Sequence, residues 1–240
     1  MNIRPYIIIN GKDSRDIPGL IITELPAISK PKIRTKTETI DGRDGDLVTD
    51  LGFSAYDKTL NIALSYDYDI DDIISYFSGS GVVTFGNEPD KYYRFSIYAQ
   101  INYERLVRFK KAKVVLHIQP FKFSVSESVK TYLFDKINGS LSIRNNGNYY
   151  ARPTLSISGS GNVSMYINET KILDINLGST FQTIVIDAEE MNATNESGST
   201  LLNRLVIGNY DNIKLIPGKN TISFVGAVTR TSINYYSRWI

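Results

Sequence analysis

Apolar and polar residues alternate with period two along most of the chain, and turn-forming residues close the alternating segments. Half-buried antiparallel strands read this way, because successive side chains point to opposite faces of a sheet. From Tyr92 to Gln100 the pattern puts Tyr93, Phe95, Ile97 and Ala99 on one face; from Lys113 to Gln119 it does the same for Val114, Leu116 and Ile118. Asn10-Gly11, Asn138-Gly139, Asn146-Gly147 and Pro217-Gly218 supply the positive or fixed φ that tight reversals need. The expectation is an all-β chain.

One short helix interrupts it. Ile70, Ile73, Ile74 and Phe77 recur at i, i+3, i+4 and i+7, after Asp69, Asp71 and Asp72 and before Gly79. This predicts a helix over about 71–78, capped by a carboxylate that accepts from the free amides of the first turn and closed by a glycine in the left-handed region. The carboxylates here are read as capping and dipole groups.

Composition changes near residue 130. Residues 1–130 hold 18 basic and 17 acidic side chains; residues 131–240 hold 9 and 8, and are richer in Ser, Asn and Gly. The second part reads as seven to nine short strands, Thr154–Ser158, Val163–Ile167, Lys171–Leu177, Phe181–Asp187, Leu201–Ile207, Asn220–Val225 and Val228–Tyr236 among them. Strands at that spacing make a sandwich or jelly roll. Two β-sandwich domains, 1–130 and 131–240, joined near Pro120 to Tyr132, are expected.

The segment Lys32 to Ile40 alternates without an apolar face. Ile33, Thr35, Thr37 and Thr39 share one side and Arg34, Lys36, Glu38 and Ile40 the other. The threonines favour extended backbone, and Gly42-Arg43-Asp44-Gly45-Asp46 offers a reversal into Leu47 to Leu51. A hairpin over about 32–51 that cannot bury a face at home is a candidate intersubunit arm, because an isolated two-stranded ribbon is marginal in water. Its candidate contact residues are Arg34, Thr35, Lys36, Thr37, Glu38, Thr39, Asp41, Arg43, Asp44 and Asp46.

Charge and composition remove several functions. The 240 residues carry 27 Lys+Arg, 25 Asp+Glu and no Cys. A near-neutral balance argues against a strongly basic polyanion binder, and the lack of Cys excludes a thiol nucleophile, a Cys-based zinc site and a disulfide framework. No apolar run approaches the ~18 residues of a membrane span, and the Tyr6–Ile9 run is short for a signal peptide, so the chain reads as soluble. The single His117 is centred in the strand Val114–Ile118 and reads as a packed or solvent-facing strand residue rather than a general base. Asp41, Asp44, Asp46 and Asp50, and Asp67, Asp69, Asp71 and Asp72, lack calcium-loop spacing; a glycosidase pair is defined by separation in space and stays open. No catalytic residue, metal or cofactor is assigned.

Arg105, Arg108, Lys110, Lys111 and Lys113 form the one basic cluster, with Tyr103 and Phe109 among it; it could touch a nucleic-acid backbone, but is read rather as a solvated hairpin edge protected by charge against strand aggregation. Tyr149, Tyr150 and Tyr166 are candidate sugar-stacking rings under an alternative reading as a carbohydrate-binding module for host cell-wall recognition.

The order of motifs resembles the distal tail (Dit) proteins of siphophages infecting Gram-positive bacteria. The residues that carry this are Asn10-Gly11, Gly42-Arg43-Asp44-Gly45, the short helix, Val83-Thr84-Phe85 with Glu88-Pro89 and Tyr92-Tyr93, and Gln119-Pro120-Phe121. In the second part they are Asn145-Asn146-Gly147, Pro153, Ile184-Val185-Ile186-Asp187, Pro217-Gly218-Lys219-Asn220-Thr221-Ile222 and Arg238-Trp239. The resemblance implies a non-enzymatic virion protein with an N-terminal ring-forming domain, whose arm grips the neighbour, and a C-terminal galectin-like sandwich. It further implies a homohexamer at the distal end of the tail tube, the hub of the baseplate, with a channel for transient passage of phage DNA that the segment Arg105, Arg108, Lys110, Lys111 and Lys113 could line or border. Its implied partners are the tail tube protein, a tail-associated lysin or tail fibre protein, and receptor-binding or other baseplate proteins; it is made in the host cytoplasm and needs no membrane. The chain is too short for the inserted sugar-binding modules of larger relatives.

Overall fold

The structure, a computed structural model, describes residues 4–127, 129–134 and 138–240, and of Arg105 the backbone alone. The chain divides into two compact units, Met1–Val125 and Ser126–Trp239.

The first unit contains β1 (Ile7–Ile9), β2 (Lys12–Asp13), β3 (Leu20–Glu24), β4 (Ile33–Thr39), β5 (Asp46–Phe53), β6 (Tyr56–Leu64), α1 (Ile70–Tyr76), β7 (Ser80–Phe85), β8 (Lys91–Ser96), α2 (Tyr103–Phe109) and β9 (Lys111–Ser124). Its main sheet runs in the order β2-β1-β7-β8-β9-β6-β3, with every pairing antiparallel. Ile7 and Ile9 near one end and Leu20 and Ile22 at the other share one core, so the sheet curls around it. The alternation predicts that core well: Tyr93, Phe95, Val114, Leu116 and Ile118 are all buried. Residues 119–121 lie where the β8–β9 register shifts, since Phe95 faces Ile118 but Tyr93 faces Lys122. A proline fits at such a bulge, where its missing N–H costs the ladder nothing.

Asp69 caps α1, accepting at Oδ1 from the amide of Asp71 at 2.8 Å. Its buried face is Ile73, Tyr76 and Phe77, whereas Ile74 stays partly exposed. Tyr76 takes the expected place of Ile74 because its ring packs inward while its hydroxyl donates to the Ile7 and Lys12 carbonyls, at 3.1 and 3.3 Å.

A second helix, α2, corrects the hairpin-edge reading of the basic cluster. Leu106 is fully buried and Tyr103 packs beside it at i−3, an apolar pair that strand alternation does not capture. The strand that follows starts at Lys111, after Lys110 turns the chain with φ +56°.

The second unit holds β10 (Lys130–Leu133), β11 (Ser140–Asn145), β12 (Thr154–Ile167), β13 (Thr170–Asn176), β14 (Gln182–Asp187), β15 (Asn192–Asn195), β16 (Val206–Gly208) and β17 (Gly218–Asn234). The predicted strands 154–158 and 163–167 are one bent strand, and so are 220–225 and 228–236. Before the bend, β12 pairs with β14 and with the end of β17; beyond it, β12 pairs with β13 and with the start of β17. The start of β17 carries β11 and its end carries β10, so β12 and β17 cross from one layer of a sandwich to the other. Leu155, Ile157, Val163, Met165, Ile222, Phe224 and Ile233 fill the core between the layers.

Glycines make the corner possible. A Cβ on Gly159 would lie 2.1 Å from the Ala227 carbonyl oxygen, and one on Gly226, at φ +129°, 2.5 Å from that of Asn162. Asparagine amides close the loops: Asn145, 1% exposed, donates to the Tyr149 and Leu215 carbonyls at 2.8 Å each and accepts from the Gly147 amide at 2.9 Å.

Candidate assembly arm and basic segment

β4 and β5 form a two-stranded sheet of their own, hydrogen-bonded to no other strand among the described residues. Every residue from 32 to 52 is exposed. The register pairs Thr35 with Asp50, Thr37 with Val48 and Thr39 with Asp46 on one face, and Lys36 with Thr49 and Glu38 with Leu47 on the other. Neither face is apolar enough to be buried at home, which is why the ribbon stands off the sheet.

Local polar contacts hold its shape. Arg34 donates to the Leu51 carbonyl at 2.9 Å, Lys36 pairs with Glu38, and Thr39 donates to Asp46 at 3.0 Å. The shift of register between Ile33 and Thr35 leaves one extra residue on β5 and coincides with Gly52 at φ +89°, the conformation a glycine bulge needs. At the tip the Arg43 amide donates to the Ile40 carbonyl at 3.1 Å, and Gly42 and Gly45 have φ +79° and +76°. At the base the Ser54 amide donates to the Lys32 carbonyl at 2.8 Å, and Phe53 meets Phe121 of β9 edge to face, with centroids 5.6 Å apart. Thus Arg34, Thr35, Lys36, Thr37, Glu38 and Thr39 lie on one strand, Asp41, Arg43 and Asp44 at the tip, and Asp46 at the start of the return strand. Sequence reasoning passed over the exposed apolar side chains among them: Ile40 is 44% exposed, Leu47 38% and Val48 57%.

The basic cluster spans two elements. Arg108 lies exposed on α2 with its guanidinium 5.4 Å from the Phe109 ring centroid, and the side chain of Arg105 is outside the described residues. Lys110 turns back to donate to the Tyr68 hydroxyl at 3.1 Å, its ammonium 4.2 Å from the ring centroid. Lys111 and Lys113 are exposed, opposite Ala63 and Asn61 of β6. They line a cleft of about 770 Å³ with Thr23, Glu24, Asn61 and Gln100, in which Asn61 donates to Glu24 at 2.6 Å.

The tyrosines do not build one platform. Tyr149 and Tyr150 are 4.4 Å apart, but the Tyr150 ring also meets the Lys214 ammonium at 4.9 Å and the Arg152 guanidinium at 5.5 Å. Burial, then the contact with Tyr150, raises the Tyr149 hydroxyl above its ordinary value. Tyr166 lies beyond the bend of β12, opposite Ser223 and Lys171, on a strand rather than on the segment that carries the pair.

His117 faces outward from β9 with Nδ1 2.8 Å from Asp57. No group of three or more His, Asp or Glu among the described residues is placed to hold a metal ion. No helix among them is long and apolar enough to cross a membrane.

This chain has the fold of a solved phage hub protein of the Dit type. It matches the phage SPP1 Dit protein, described as a paradigm of the hub adsorption apparatus in phages infecting Gram-positive bacteria, with TM-score 0.66 and 18% identity over 98% of this chain and 99% of that one. Chains of the phage P2 baseplate in its activated conformation match with 9% identity: TM-score 0.48 over 97% and 98% of the two chains with calcium, and 0.49 over 98% of each with strontium. No family model and no curated protein matches the sequence.

Proposed function

We propose that the chain is a structural protein of a phage tail tip, a baseplate hub whose mechanism is self-association rather than catalysis. Copies join head to tail and close into a homohexameric ring, the hairpin 33–53 of each reaching its neighbour. The ring sits at the distal end of the tail tube, leaves a channel for DNA, and offers docking surfaces to the tail tube protein, to a tail-associated lysin or fibre protein, and to receptor-binding or other baseplate proteins. Its location is the virion.

The observation that carries this reading is the β4–β5 ribbon, hydrogen-bonded to no other strand among the described residues, on a chain whose fold matches the SPP1 hub protein over nearly its whole length. A ribbon with open edges and exposed Ile40, Leu47 and Val48 can contribute strand pairing and apolar burial to a heterologous interface, and such an interface closes into a ring when its rotation divides a full turn.

Light scattering on the purified chain tests it. The expected mass is six times the 27.0 kDa of one chain, and deletion of Lys36 to Asp46 is expected to give folded monomers. A wild-type monomer overturns the ring; a hexamer that survives the deletion overturns the arm.

A further inference from the structure

We infer that the end of the arm docks on the basic segment from Arg108 to Lys113 of a neighbouring copy of this chain. This rests on the ring reading above and names the surface that receives the arm. Two independent features of one chain fit each other.

The first is the division of charge along the ribbon. Lys32, Arg34 and Lys36 lie toward its base, with Asp50 as the one acid there, whereas beyond the Thr37–Val48 pair come Glu38, Asp41, Asp44 and Asp46 against Arg43 alone. Lys36 already neutralises Glu38, so the aspartates of the tip carry the excess. Ile40, Leu47 and Val48 lie exposed among them, giving an end that is both acidic and apolar.

The second is the opposite surface on α2 and β9. Phe109 is 61% exposed and Val107 39%, beside exposed Arg108, Lys111 and Lys113. Neither Lys111 nor Lys113 has an ion-pair partner among the described residues, and both line the 770 Å³ cleft. The acids near this surface are Glu104 in the first turn of α2, Glu24 in the cleft, held by Asn61, and Asp57, which lines a neighbouring pocket with Lys113 and is paired with His117. Opposed charges orient such a contact and exclude wrong registers, while the apolar side chains supply burial. A channel-lining role would leave the same cations free of the interface, so the two assignments part on experiment.

The test is a charge swap in the full-length chain, read as ring mass against concentration. Reversing the tip (Asp41→Lys, Asp44→Lys, Asp46→Lys) or the acceptor (Arg108→Glu, Lys111→Glu, Lys113→Glu) is expected to raise the concentration at which rings dissociate by on the order of tenfold or more. Carrying both sets in one chain is expected to restore assembly, which neither misfolding nor a general loss of stability would do. Wild-type rings are also expected to loosen as salt approaches about 1 M, where screening acts within ~3 Å. Rings indifferent to reversal of the acceptor, or a double reversal that fails to recover, overturn the docking while leaving the ring intact. A wild-type chain that is monomeric throughout overturns the ring itself.

Discussion

Lys58, 4% exposed, donates from Nζ to the carbonyl oxygen of Ala27 at 2.7 Å, and so ties down the segment that leads from β3 into the β4–β5 hairpin. Its ammonium lies 5.3 Å from the ring centroid of Tyr93, 5.6 Å from Phe85 and 5.7 Å from Tyr56. Glu88 is buried beside it, accepting from Lys122 at 2.9 Å and from the Tyr93 hydroxyl. Burial pushes the Lys58 amine below its ordinary value; Glu88 opposes that shift and Lys122 adds to it.

Lys122 is thus paired with the carboxylate while Lys58 only lies in its field, and the two ends of the network are unequal. Glu88→Gln leaves both lysines unmatched and is expected to cost the first unit about 3–5 kcal/mol. Lys58→Met strands the Ala27 carbonyl, worth about 1–3 kcal/mol, but removes a cation that faces Lys122, so its cost is expected to be smaller. Calorimetric unfolding of the two variants checks the order; equal costs would mean that charge balance is not what holds this corner.

Acid is expected to weaken the second unit through Asp211. Its carboxylate accepts from Lys214 at 2.8 Å and pairs with Arg152, and these contacts hold it below the ordinary 3.8. The folded state therefore binds fewer protons than the unfolded state between the two values. The contribution is present above 3.8 and is lost as pH falls through the depressed value. Since the side chain is 45% exposed, the effect is at most about 1 kcal/mol. Thermal midpoints measured from about pH 5 to 2.5 should fall less steeply in Asp211→Asn than in the parent.

Two glycine substitutions should separate steric from conformational cost. At Gly159 a methyl group meets backbone at 2.1 Å, so Gly159→Ala is expected to destabilise the sandwich by about 1–3 kcal/mol and lower its melting by several degrees. Gly42, at φ +79°, has open space around it, and alanine there adds only left-handed strain of about 1–2 kcal/mol at a free tip. Melting of both units should stay unchanged in Gly42→Ala, and differential scanning calorimetry resolves the difference.

Phe121→Ala removes the edge-to-face contact that seats Phe53, worth about 0.5–1.5 kcal/mol beyond area burial. Amides of β4 and β5 are expected to exchange faster, whereas those of β9 around Leu116 keep their protection. Hydrogen exchange with mass-spectrometric readout checks this; uniform protection across both segments would mean that the base of the ribbon is held elsewhere.

The strands and the curled cores were legible because Tyr93, Leu116, Leu155 and Ile184 sit on strict alternations whose inner face is the buried one. The exposed hairpin β4–β5 was legible by the opposite sign, an alternation with nothing to bury. The second helix was not: Tyr103, Leu106 and Val107 do recur at i, i+3 and i+4, but Lys110 breaks the run at i+7, and Arg105, Arg108 and Lys110 were weighed as charges rather than as positions on a turn of helix. The length of β12 and β17 was hidden as well. Gly159, Gly161 and Gly226 read as strand ends, and only the register shows that they are corners in a continuous backbone. The anchoring of Lys58 to Ala27 joins residues 31 apart and leaves no periodic mark in the sequence.

The two bent strands have a mechanical consequence. In a sandwich whose leaves are joined only by loops, one leaf can peel away while the other persists. Here a tug on either leaf is transmitted along covalent backbone into its mate, so the unit should resist shear as a single body and, when it fails, rupture in one step rather than delaminate.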